Sequence, residues 1–165
     1  MQNRISSFAP IINQDSKILI LGSIPGVKSL EMQQYYAHPQ NKFWRIIFEL
    51  FQEEFTEDYN QRIQVIQQNR IALWDVIDSC ERKGSLDSEI RNEEANQIPE
   101  LLKEYPNIKA IFCNGGKSYK SLKKMLGKDF QVPIHLMPST SPLHTISFER
   151  KIEKWKLILT FMDKD

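Results

Sequence analysis

Two stretches of this chain carry side chains whose types and spacing could do chemistry. Residues 22–44 open with Gly22-Ser23-Ile24-Pro25-Gly26 and close with Tyr35-Tyr36-Ala37-His38-Pro39-Gln40-Asn41-Lys42-Phe43-Trp44. Glycines let a ligand approach the backbone, and a loop this long in a compact domain is ordinarily functional. Tyr35, Tyr36 and Phe43 could stack on a planar ring, and Asn41 offers one acceptor and two donors to a base edge or a water. Phe43 and Trp44 could equally begin a helix and pack in the core. The second stretch, residues 138–144, reads Pro138-Ser139-Thr140-Ser141-Pro142-Leu143-His144. Its hydroxyls and backbone amides suit phosphates, and an exposed Leu143 suits a wedge that fills the place of an extruded base. Taken alone, such a string is only a turn.

The elements that must position these stretches follow from periodicity. Short apolar runs at 17–22, 108–113 and 131–137 each end in Gly, Asn-Gly-Gly or Pro, the pattern of buried strands entering tight loops; 71–76 is a fourth, of mixed polarity. Between them lie apolar residues three and four apart: Phe43, Ile46, Ile47, Leu50 and Phe51; Tyr59, Ile63 and Ile66; Ile98, Leu101 and Leu102. Phe148, Ile152, Trp155 and Leu159 form a last stripe, with Ser147 as its N-cap. Strands alternating with helices predict an α/β fold, a three-layer αβα domain with a central, mainly parallel four-stranded sheet, and residues 1–165 form one such domain. Ligands of such sheets bind at the carboxyl ends of the strands, where both stretches begin. Residues 82–87 read as a surface loop.

Composition narrows the classes. No apolar run reaches the length of a membrane span and the N-terminus lacks a signal-peptide pattern, which predicts a cytoplasmic protein. Cys80 and Cys113 form no Cys-x-x-Cys, and His38, His135 and His144 have no metal spacing, so neither a metal, an iron–sulfur cluster nor another cofactor is expected. The net charge of +1 hides a polarity: 117–128 holds five lysines and no acid, and 49–58 five acids and no base. Each is either a solvated helix face or one side of a molecule that turns its basic side to a polyanion. Asn114-Gly115-Gly116-Lys117-Ser118 resembles the tail of a phosphate-binding loop, but the glycine required at 111 is Ile. A strand-to-helix turn is its ordinary explanation, and nucleotide binding there a minor alternative.

Taken together, Gly22-Ser23-Ile24-Pro25-Gly26, the string from His38 to Trp44, and Ser139-Thr140-Ser141-Pro142-Leu143 resemble the two signature motifs of the uracil-DNA glycosylase superfamily. With Leu73-Trp74-Asp75-Val76-Ile77 they are most similar to its hypoxanthine-DNA glycosylase branch, and the His-Pro-x-Asn-x-Phe-Trp string to the mismatch-specific uracil glycosylases. The resemblance implies a monofunctional, monomeric enzyme that hydrolyses the N-glycosidic bond of a deaminated base in DNA, most simply hypoxanthine. Uracil or G·T and G·U mismatch specificity is the alternative, as is an inactive nucleic-acid-binding module. The Asp or Asn that usually precedes the motif proline is Ile24 here, and the His that opens the second motif is Ser139. The resemblance therefore moves the catalytic amide to Asn41. It further implies Gly22, Ser23, Tyr36, Phe43 and Asn114 around the flipped base, with Phe43 stacked on it. Ser139, Ser141, Pro142, Leu143, His144 and Lys117 would lie against the duplex. Lys28 and Lys42 are the amines a lyase would need. Asp75 could accept from a base or cap a turn.

Overall fold

The computed structural model describes residues 4–127 and 130–162; Lys128, counted above in the basic run, lies outside them. In chain order the elements are β1 (Arg4–Ser6), β2 (Ile18–Gly22), α1 (Val27–Met32), α2 (Phe43–Leu50), α3 (Tyr59–Gln68), β3 (Ile71–Asp75), β4 (Ile77–Glu81), β5 (Arg91–Ala95), α4 (Ile98–Glu104), β6 (Ala110–Asn114), α5 (Gly116–Met125), β7 (Ile134–Met137) and α6 (Phe148–Trp155). Four strands form the central sheet in the order β3-β2-β6-β7, all parallel.

Alternation along β2 explains the layers. Ile18 and Ile20 pack on one face with Phe43, Ile46 and Ile47 of α2, Ile66 of α3 and Trp155 of α6. Leu19 and Leu21 pack on the other with Ile98 and Leu101 of α4 and Leu122 of α5. A strand buried on both faces must be apolar throughout, which is why 17–22 reads as an unbroken run. The three layers are those expected from the sequence.

Three features were not legible. First, β1, β4 and β5 form a separate antiparallel sheet in the order β1-β4-β5. Arg91–Ala95 is exposed along its whole length, so no apolar alternation announces it. Second, α6 stops at Trp155 and tightens into a 3-10 turn, Lys156–Phe161. Three residues per turn then bury Ile158 instead of continuing the stripe to Leu159. Third, 22–44 contains α1, and 82–87 is no free surface loop. Arg82 Nη2 donates to the Pro25 carbonyl at 2.8 Å, and Ser85 Oγ accepts from the Val27 amide at 2.9 Å. Ile24 packs with Ile77, Cys80 and Ile90 under the small sheet. The small sheet is thus the buttress of the first loop.

Candidate active site

Strand register brings the carboxyl ends into a row. Gly22 of β2 pairs with Asp75 of β3, and Leu21 with Cys113, so Asn114 follows at the end of β6, beside Met137 of β7. A cavity of about 550 Å³ opens above them, walled by 22–26 and by 139–144, with Tyr36, Asn41, Asp75, Asp87 and Asn114 among its lining.

The floor is built around a missing side chain. A Cβ on Gly22 would stand 2.6 Å from Asp75 Oδ1 and 3.1 Å from Tyr36 Oη, so glycine is required by the approach of those two groups. Asp75 is 4% exposed, and its Oδ2 and the Tyr36 hydroxyl are buried with no protein hydrogen-bond partner. Burial, reinforced by the Asp87 carboxylate and opposed by the Arg82 guanidinium, pushes the Asp75 carboxyl up to about 7. Burial, and then Asp75, holds the Tyr36 phenol well above its ordinary value. Tyr36 adopts φ 55°, the left-handed region that side chains seldom occupy, and its ring stacks on Phe43. Tyr35 instead faces the core, donating from its hydroxyl to the Ala9 carbonyl at 2.9 Å.

Asn41 sits on the wall in a defined orientation. Its Oδ1 accepts from the Phe43 amide at 2.9 Å, an Asx turn that leads into α2 and sets which end of the amide is oxygen. One lone pair on Oδ1 and both Nδ2 hydrogens remain for a ligand or water. The second loop is clamped to the first: the Lys42 amide donates to the Thr140 carbonyl at 3.0 Å, and Asn114 bridges Thr140 twice, Nδ2 to Oγ1 at 3.0 Å and Oδ1 from the amide at 2.9 Å.

This arrangement, a deep polar-floored cavity between two glycine- and serine-bearing loops at the ends of a parallel sheet, can admit one planar base and hold a water beside it. Residues 9–161 match the sequence model of the uracil DNA glycosylase superfamily. The chain belongs to the uracil-DNA glycosylase superfamily. It is similar to two curated proteins named hypoxanthine DNA glycosylase: one from Methanosarcina barkeri, 38% identical over 76% of this chain and 81% of that protein, and one from Methanosarcina acetivorans, 32% identical over 92% and 95%. A candidate uracil DNA glycosylase of Methanosarcina acetivorans, solved by NMR in solution, superposes with a TM-score of 0.82 at 29% identity, covering 98% of this chain and all of that one. The chain is a DNA glycosylase, a hydrolase of N-glycosyl bonds in DNA, of the class that acts on deaminated bases. Among the described residues no helix is long and apolar enough to cross a membrane.

The glycosylase cavity gathers Gly22, Ser23, Tyr36, Asn41, Asn114, Ser139, Ser141, Pro142, Leu143 and His144. Two expected site residues fall elsewhere. Phe43 is 0% exposed; Tyr36 covers it at 4.1 Å between ring centroids and 26° between planes, and Trp44 and Trp155 meet it edge-on. It is therefore the support beneath the stacking platform, because a helix that begins at Phe43 turns that first side chain inward with Ile46 and Ile47. Lys117 is off the cavity and paired with Glu93 of β5, which also accepts from Ser121 at 3.0 Å. The Asn114-Gly115-Gly116 turn is shaped by Gly115, whose φ of 97° favours glycine and whose Cβ position would crowd Ser139 Cβ at 3.2 Å.

The sequence also left groups unassigned. Asp75 supplies the floor, and its signal was an acid ending an otherwise apolar strand. Asp87, beside it, accepts from Ser23 Oγ at 2.8 Å. Lys151 of α6 is 3% exposed and donates to the Ser141 carbonyl at 3.1 Å, its ammonium pushed down by burial and by Lys42. Ile24 proves to be a packing residue, which accounts for an aliphatic side chain where the superfamily usually keeps a polar one.

Proposed function

We propose that this glycosylase is a monofunctional, monomeric cytoplasmic enzyme that removes hypoxanthine from deoxyinosine in DNA, with Asn41 holding the attacking water. The observation that carries the reading is the Asn41 amide, fixed on the cavity wall with a lone pair and two hydrogens to spare, in a chain where Ile24 can orient nothing. The names of its Methanosarcina relatives support the choice of base.

The steps follow from the shape. A flipped nucleotide enters base first, and its ring lies on Tyr36, which Phe43 backs. Leu143, 60% exposed at the rim, fills the gap left in the duplex. Ser139 Oγ and Ser141 Oγ each accept from the amide two residues on, at 3.1 Å, which leaves their hydroxyl hydrogens to donate to phosphates. As the C1′–N bond lengthens, positive charge develops on the sugar, and a water oriented by an amide suffices as nucleophile without deprotonation beforehand.

Duplexes carrying deoxyinosine, deoxyuridine or a G·T mismatch, incubated with enzyme and then cleaved by alkali at abasic sites, test the reading. Deoxyinosine should be cut fastest, and Asn41→Ala should slow it about 100-fold while duplex binding stays within a few fold. Cleavage of deoxyuridine alone overturns the substrate; full activity in Asn41→Ala overturns the mechanism.

A further inference from the structure

We propose that Asp75 is the acid of this active site, a neutral carboxyl on the cavity floor that gives its proton to the departing base. The proposal rests on the hypoxanthine reading and deepens it. Asp75 Oδ2 and Tyr36 Oη are buried without protein partners, and both residues line the cavity beside Gly22, where Asp75 Oδ1 and Tyr36 Oη occupy the room a Cβ would need. Native proteins seldom leave buried polar atoms unpaired, and a catalytic role is one of the reasons for which they do. Asp75 and Asn41 both line the cavity, so a base that leads the flipped nucleotide inward can meet the buried Asp75 carboxyl while Asn41 holds the water.

The surroundings favour the protonated form of the carboxyl. Asp87 presents a like charge from the turn after β4, Tyr36 lies beside Asp75 as a neutral phenol with the core-facing Tyr35 phenol behind it, and Arg82 opposes the effect of Asp87. Burial adds to the effect of Asp87, and Asp75 titrates at about 7, where an acid catalyst is most useful.

Hypoxanthine has ring nitrogens, N7 and N3, with free lone pairs; the one ring nitrogen of uracil outside the glycosidic bond already carries hydrogen. A carboxylic acid therefore has a ring-nitrogen proton acceptor in hypoxanthine that uracil lacks. In the step, the C1′–N9 pair leaves with the base while the Asp75 O–H breaks and its proton bonds to a ring nitrogen, so hypoxanthine departs neutral. Water oxygen bonds to C1′ and releases its proton to solvent, from which the Asp75 carboxylate is reprotonated. The sum is nucleotide plus water giving abasic site plus free base.

Single-turnover rates between pH 5.5 and 9, on whichever deaminated duplex the wild type cuts, test the acid. The wild-type rate should bend near pH 7 and then fall about tenfold per pH unit. Asp75→Asn should be at least about tenfold slower at pH 6 and show no bend, and Asp87→Asn should move the bend to lower pH by removing a like charge. Carbon NMR of the wild-type Asp75 carboxyl gives a reading that needs no variant to fold: titration near 7 supports the acid, and titration near 4 overturns it. An Asp75→Asn enzyme with the wild-type rate and bend also overturns it. Cleavage of deoxyuridine in place of deoxyinosine overturns the substrate reading instead, and the two failures are thereby told apart.

Discussion

The cavity floor and the rim loop opposite it solve opposite problems. On the floor, Asp75 and Tyr36 keep polar atoms buried and unpaired, a condition that costs about 1–3 kcal/mol for each such atom. At the rim, 138–144 is satisfied almost internally. The Pro138 carbonyl accepts from Trp155 Nε1 at 3.0 Å, the Thr140 carbonyl from Lys42, the Ser141 carbonyl from Lys151, and the two serine hydroxyls from backbone amides. The rim offers serine hydroxyl hydrogens, His144 and an exposed leucine. The floor stores unfavourable desolvation that a base can relieve, while the rim is a braced surface that DNA can press on without deforming it. Recognition of the base and distortion of the duplex are thus assigned to different physical devices on one sheet end.

The floor should break hardest. Gly22→Ala drives a Cβ into Asp75 and Tyr36, one held by its strand and the other by its stack on Phe43, so neither can yield easily. Excision should fall about 100-fold, with a loss of about 1–3 kcal/mol in urea unfolding from overpacking.

The unfavourable desolvation itself can be weighed by pH. Because the folded-state value of Asp75 is raised from 3.8 to about 7, the native state binds this proton more tightly than the unfolded chain. Stability contributed by the neutral carboxyl is complete below pH 4 and is lost as pH rises toward 7. Asp75→Asn cannot ionise, so relative to wild type it should gain about 2–3 kcal/mol between pH 5 and pH 8. Parallel urea titrations at the two pH values check this; a constant difference would mean that the carboxylate is solvated or paired.

Much of this contrast was readable in the sequence, and what was not has identifiable causes. Strands buried on both faces advertise themselves by unbroken apolar runs, so the central sheet, its layers and the convergence of the two loops followed from 17–22, 108–113 and 131–137. The rim motif was legible because serine and proline act locally. The floor depends on register: that Gly22 stands opposite Asp75 is a long-range fact that no local spacing encodes. The same holds for the choice between two aromatic residues seven apart. Tyr36 leaves the core through a left-handed backbone, and Phe43 enters it at the first turn of a helix. The pairing of Lys117 with Glu93 was not legible, because Glu93 lies on a strand whose wholly exposed sequence gives no signal.

The rim should respond to truncation in function and hardly at all in stability. Leu143→Ala removes an exposed side chain, so unfolding should change by less than about 0.5 kcal/mol. Excision of a paired deoxyinosine should fall about tenfold, because the gap in the stack goes unfilled. The same variant on a single strand, where no gap forms, should keep its rate, and equal losses on both substrates would remove the wedge from the mechanism.

Smaller still is the effect expected at Lys117, and it separates the basic helix from the rim. A lysine that grips phosphate raises affinity and steepens the salt dependence of binding by about one counterion. Lys117 is held by Glu93 on the buttress sheet, away from the cavity. Lys117→Ala should therefore leave duplex affinity within twofold and the salt slope unchanged, and lower stability by no more than about 1 kcal/mol. A measurable drop in the slope would instead extend the DNA track from the rim across the start of α5, and the division of labour between floor and rim would need a third, purely electrostatic surface.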